Sequence, residues 1–171
     1  MGNPQERLFE MEDRTSDAID LGWLAGMFDG EGSCSMPIRN RKARRPMYNI
    51  RCEIVNTNQA AIERVAAILQ RHNVGSWMYT RFNQTVTWKN VYCIAIIVYK
   101  RNRAFLSLIA PHLTIKRERA LVALEWLAYR EGMSTNDHHG DVDEQYAARM
   151  RTLNFRGTAR TARTESSTSI R

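Results

Sequence analysis

The sequence predicts an α+β fold with a core of order αββαββα, its helices packed on one face of a four-stranded antiparallel sheet. Three observations lead there. Apolar residues at helical spacing run up to Phe28, residues 48–55 alternate between apolar and polar, and a second strand pair follows a helical stretch. Such a sheet buries one face under helices and leaves the other wet, so the alternation also assigns side chains to a face.

Residues 1–16 are polar and acidic (Glu6, Glu10, Glu12, Asp13) and read as a flexible lead-in, with Asp17 as the cap of a helix ending near Asp29. In that helix Leu21, Leu24, Ala25 and Phe28 keep the i, i+3, i+4, i+7 spacing of a buried face. Gly22, Gly26 and Gly30 make a bare stripe beside it, at about 0.5–1 kcal/mol each relative to alanine. A stripe this bare implies that another backbone approaches. No second copy of the pattern exists in the chain, so the partner is a second subunit.

Ser33 to Arg39 reads as a strand, followed by a basic turn over residues 40–46. From Tyr48 to Val55, Ile50, Cys52 and Ile54 face one side while Asn49, Arg51 and Glu53 face the other. Ile62, Val65, Ala66 and Leu69 mark a helix from about Thr57 to His72, closed by Asn73-Val74-Gly75. A hairpin follows, Ser76 to Phe82 and Thr87 to Val98, turning at Asn83-Gln84, with Trp77 and Trp88 read as core. Arg103 to Ala110 is a short helix stopped by Pro111, and Lys116 to Arg130 a longer one with Ala120, Leu124 and Leu127 inward. After a loop, Val142, Tyr146, Met150 and Leu153 mark a last helix. Residues 17–155 therefore read as one domain, and 156–171 as a basic Ser/Thr/Arg tail, disordered when free.

Charge is concentrated in the middle. Between Glu31 and Glu118 stand fifteen Lys or Arg against two acids, Glu53 and Glu63. A polyanion is the natural partner of so polarised a surface, and because the stretch reads as folded sheet, nucleic acid is the partner expected. No run nears 18 apolar residues, so no membrane span is expected, and the acidic start is unlike a targeting peptide. Cys34, Cys52 and Cys93 are odd in number and lack CxxC spacing, which points to reduced thiols in an intracellular compartment and away from structural zinc. His138-His139 lies in a loop with no partner at ligand spacing.

Glu31 is the sharpest chemical candidate. It follows a helix C-terminus, where the dipole gives a carboxylate nothing, and Asp29 repels it. A divalent cation would resolve both problems. Asp29 itself reads as structural, bonding nearby amides or a partner helix.

The string Leu24-Ala25-Gly26-Met27-Phe28-Asp29-Gly30-Glu31-Gly32 resembles the signature of the LAGLIDADG homing endonucleases, in their single-motif, homodimeric form. The likeness covers roughly residues 17–131. It implies a sheet that forms a DNA-binding saddle, helices behind it, and the signature helix at the dimer interface through Gly22, Gly26 and Gly30. It implies that Glu31, helped by the Gly30 carbonyl, holds Mg²⁺, for which Mn²⁺ or Ca²⁺ substitute in vitro. Lys116, after the turn Ala110-Pro111-His112, matches the family's catalytic lysine. Asn56 stands where the family often has a glutamine, and the basic residue often found a few positions on is missing from Gln59, Ala60 and Ala61.

For base reading the exposed alternation selects Ser33, Ser35, Arg39, Asn49, Arg51 and Glu53, while Arg41, Lys42, Arg44 and Arg45 suit phosphates. On the second hairpin the register stays open: Met78 and Thr80 by resemblance, Arg81 and Lys89 by chemistry. The implied function is site-specific double-strand DNA cleavage by a homodimer on a long pseudo-palindromic site, from an intron-borne gene. An RNA-splicing maturase, with intron RNA as partner, and a non-cleaving DNA-binding regulator are the alternatives. Joint retention of Glu31 and Lys116 argues against the regulator.

Overall fold

A computed structural model of the chain describes residues 4–39, 47–82, 89–133 and 140–155, with side chains from Thr15 onward. The first helix, α1, runs without a break from Pro4 to Glu31. This corrects the expectation of a lead-in over 1–16 capped at Asp17. Pro4 takes the first helical position, where its missing N–H is no loss, and good helix formers such as Glu6, Leu8, Glu10 and Met11 carry the helix on. Asp17 sits within the helix, its Oδ1 2.9 Å from His72 Nε2.

Strand β1 (Gly32–Ser35) follows α1 directly, then the short pair β2 (Ile38–Arg39) and β3 (Met47–Tyr48), and β4 (Arg51–Asn56). The expected strand over 33–39 is thus interrupted at Met36-Pro37, where proline has no N–H for the ladder. Helix α2 (Gln59–Arg71) comes next, capped by Asn58, whose Oδ1 accepts from the Ala61 N–H at 3.3 Å. Then come β5 (Trp77–Arg81), β6 (Val91–Ile96), α3 (Tyr99–Ile109), a 3-10 turn at Ala110–His112, α4 (Arg117–Tyr129) and α5 (Gly140–Asn154). The four-stranded sheet is antiparallel in the order β1-β4-β6-β5.

Register fixes the two faces. Ile54 opposes Ile94, which opposes Met78, and Cys52 opposes Ile96; this row faces the helices. Leu24, Ala25 and Phe28 of α1, Ile50, Cys52 and Ile54, and Ile62, Val65 and Leu69 of α2 are all fully buried, as their spacing predicted. Phe28 meets the Phe105 ring edge-on at 5.2 Å. The same cluster reaches Ala147 and Met150, so α5 joins the core. It is tied down by Trp126 Nε1 donating to Asp143 at 2.7 Å and Asn154 Nδ2 donating to the Cys34 carbonyl at 3.0 Å. Cys34 and Cys52 are opposite each other, buried free thiols with sulfurs 3.7 Å apart. Among the described residues no helix is long and apolar enough to cross a membrane.

Candidate active site and nucleic-acid interface

Two glycine environments shape the end of α1. A Cβ on Gly32 would lie 2.3 Å from Phe28 Cδ2 and 2.5 Å from the Phe28 carbonyl oxygen, so only glycine lets the chain turn from helix into β1. Among the described residues, a Cβ on Gly22, Gly26 or Gly30 would meet nothing within 4 Å. The stripe is therefore open along its length.

The end of α1 and the turn leading into α4 are tied to each other. The Asp29 carboxylate accepts from the backbone N–H groups of Thr114 at 2.8 Å, Ile115 at 3.0 Å and Lys116 at 2.8 Å. Thr114 and Ile115 lie in the turn leading into α4 and Lys116 is its N-cap, which makes no side-chain cap hydrogen bond. Partial burial pushes the Asp29 carboxyl up, but the three N–H bonds outweigh it and hold the group below its ordinary value. In return Lys116, 2% exposed, sends its Nζ to the Phe28 carbonyl at 3.0 Å and to the Asp29 carbonyl. An ammonium is favoured there by the negative end of α1 and its orphan carbonyls. The structural reading of Asp29 is thus realised through amides 85 residues away in sequence.

The lysine reaches the two residues just before Gly30-Glu31, and Glu31 ends the helix with its side chain exposed. A carboxylate and a backbone carbonyl are hard oxygen donors that suit Mg²⁺. Among the described residues no cluster of three or more His, Cys, Asp or Glu could hold a metal. Glu31 and the Gly30 carbonyl would serve as two ligands of such a cation. Asn56 closes β4, opposite Tyr92, and its Oδ1 accepts from the Asn58 N–H at 2.8 Å, so one end of the amide is spent on the turn into α2.

The open face of the sheet carries Ser33, Ser35, Arg51, Glu53 and Val55, continued by Trp77, Tyr79 and Arg81 on β5. Arg81 faces as its chemistry suggested. Met78 and Thr80 do not: they share the register row of Ile94 and Tyr92, and Met78 lines a surface recess with Ala66 and Gln70 of α2. The resemblance placed them one residue out of phase, and with period-two alternation that moves a side chain to the other face. Trp77, expected in the core, is 64% exposed for the same reason. Trp77 reads as core in the sequence, and Tyr79 on the open face went unnoticed there. Once Arg81 is placed there, counting back by two finds both.

Arg39 is exposed in β2, and Lys89 is exposed just before β6. Asn49 donates its Nδ2 to the Ile97 carbonyl at 3.1 Å, which holds the hairpin to the end of β6. Arg41 and Arg44, with the rest of the basic turn, lie outside the described residues, as do Trp88 and His138-His139.

Helices on one face of this sheet, with a glycine-striped helix ending in an acid beside a buried lysine, make the fold of the LAGLIDADG homing endonucleases. The model of the LAGLIDADG-like domain family matches residues 18–110, more than half of the chain, and the protein belongs to that family. No curated protein matches the sequence. Among solved structures, the chain is similar to the homing endonuclease I-CvuI at a TM-score of 0.65 and 17% identity, covering 85% of this chain and 88% of that one. It is similar to the archaeal intron-encoded homing endonuclease I-Vdi141I, solved with DNA, at 0.61 and 15%, covering 84% and 89%. For the I-SmaMI LAGLIDADG homing endonuclease, bound to cleaved DNA, the TM-score is 0.58 at 14% identity, over 82% of this chain but 45% of that one.

Proposed function

We propose that the protein is a site-specific double-strand DNA endonuclease that works as a homodimer with a divalent metal, on a long pseudo-palindromic site, and that its gene is intron-borne. The observation that carries this is the reciprocal bonding of Asp29 and Lys116 between the end of α1 and the start of α4, which fixes a buried lysine ammonium at the acidic end of the signature helix. Residues 17–155 form the working unit and 156–171 a basic appendage.

Two copies meet along Gly22, Gly26 and Gly30, where the space over the stripe lets a second backbone approach. That brings together two Glu31 carboxylates, each with its Gly30 carbonyl. I-SmaMI, whose chain is about twice the matched length, accords with a need for two such units. A divalent cation held by Glu31 and the Gly30 carbonyl would supply Lewis acidity for activating water and for the charge on the leaving oxygen. Lys116, fixed by two carbonyls, holds positive charge beside the scissile phosphate without reorganising as charge develops. Asn56 orients solvent from the end of β4. Ser33, Ser35, Arg51, Arg81 and Trp77 present the open face to a groove, with Arg39 and Lys89 beside them for base edges, while Arg41 and Arg44 neutralise phosphates.

The test is cleavage of the intron-free target in Mg²⁺ by the full chain and by Glu31→Gln. Cleavage lost with binding kept supports the assignment. Full activity in the variant, or a strict monomer on DNA, ends it.

A further inference from the structure

Glu53 is the centre of a closed network on the open face. Its Oε1 accepts from Arg51 Nη2 at 2.9 Å, from Arg81 Nη2 at 2.9 Å, and from the Tyr79 hydroxyl. Both arginines also donate to the Tyr79 oxygen, at 3.2 Å from Arg51 and 2.8 Å from Arg81. The side chains cross from β4 to β5 over the strand between them. Room for this comes from Cys93 and Ala95, the two small residues that β6 presents to the same face, both buried.

Exposure separates the roles. The Glu53 side chain is only 12% exposed, while those of Arg51 and Arg81 are 42% and 52% exposed. A carboxylate so enclosed, with three donors on one oxygen, has little reach toward a cytosine amino group. Two guanidinium groups anchored through one nitrogen each keep their remaining N–H edges for a ligand. Because both Nη2 atoms lie 2.9 Å from one oxygen, they are at most about 6 Å apart. That is less than two base-pair steps of about 3.4 Å.

We infer that Glu53 is a positioning residue for base recognition: it orients Arg51 and Arg81 as a paired guanine reader on adjacent base pairs of each half-site. This rests on the DNA-binding reading above. Arginine pairs bidentately with the O6 and N7 of guanine only when its plane is fixed, and an exposed guanidinium on a flexible stem otherwise settles on phosphate. Anchoring both forks before DNA arrives removes that competing use. Burial pushes the Glu53 carboxyl up, yet the bonds from Tyr79 and Arg51 outweigh it and leave it below its ordinary value, so the anchor stays charged at neutral pH.

The experiment is selection of bound sites from a randomised duplex library by the full-length protein, then titration of the selected site with each base at the two positions. The wild type should return adjacent guanines in each half-site, preferred over other bases by about 5- to 150-fold, as bidentate pairs give. Glu53→Gln should cut that preference to within about threefold at both positions together. Its affinity for random duplex should rise, because the variant gains net positive charge, while its melting temperature should fall, because the two guanidinium groups lose the charge between them. Arg51→Lys and Arg81→Lys, which keep charge but lose the fork, should each erase the preference at one position. Glu53→Gln with unchanged base preference, or with loss at a single position, overturns the inference and leaves the nuclease reading standing. A wild type that enriches no site overturns both.

Discussion

Replacing Asp29 by asparagine probes the lock between α1 and α4. The carboxylate takes three backbone N–H bonds, two on Oδ2 from Thr114 and Ile115 and one on Oδ1 from Lys116. An asparagine can turn its oxygen toward Thr114 and Ile115 and keep two neutral bonds. Its NH₂ then faces the part-buried Lys116 N–H, donor against donor. A lost charge-assisted bond is worth about 1.5–3 kcal/mol and a stranded donor about 1–3 kcal/mol, and solvent at the outer two bonds lowers the sum. A net loss of about 2–4 kcal/mol is expected in urea titrations with an unchanged m-value.

The pH dependence gives a second handle. With its pKa below the ordinary 3.8 in the folded state, Asp29 contributes stability that is fully present above 3.8 and is lost as pH falls through the folded value. The wild type should therefore lose more stability than Asp29→Asn as pH is lowered from about 5 toward 2. Cleavage should fall with the lock, because Lys116 shifts when its own N–H loses a partner. A variant within about 0.5 kcal/mol of wild type, with the same acid slope, would refute the reasoning.

Three further outcomes follow from the same geometry. Gly32→Ala forces a Cβ against the Phe28 ring and carbonyl and should cost about 1–3 kcal/mol by thermal or chemical unfolding. Gly26→Ala meets nothing among the described residues, so helix propensity should raise monomer stability by about 1 kcal/mol, while sedimentation should show a weaker dimer. Lys116→Met keeps the buried stem but strands the Phe28 and Asp29 carbonyls; about 1–3 kcal/mol should be lost, and cleavage should fall more than DNA binding.

Much of the fold could be read from periodicity because burial enforces it. Leu24, Ala25 and Phe28 on a helix, and Ile50, Cys52 and Ile54 on a strand, had one arrangement that hid them all. Residues 4–16 escaped because a helix without an apolar stripe leaves no periodic trace, although Pro4 followed by good helix formers was a usable signal. β5 escaped for a different reason. As an edge strand it carries an apolar or aromatic residue on either phase, Trp77 and Tyr79 against Met78, so composition does not choose a face.

The chemistry divides the same way. Glycine spacing, two acids and a proline-led lysine are local facts, and a single reading along the chain was enough to single out Gly26, Glu31 and Lys116 as candidates. What Asp29 does, that Arg81 joins Arg51 on Glu53, and that Lys116 is buried against α1 depend on contacts between residues 28 to 88 positions apart. Hydrogen bonds and ion pairs leave no period in a sequence. Only folding, which closes those loops and removes water from the groups involved, decides which donor finds which acceptor.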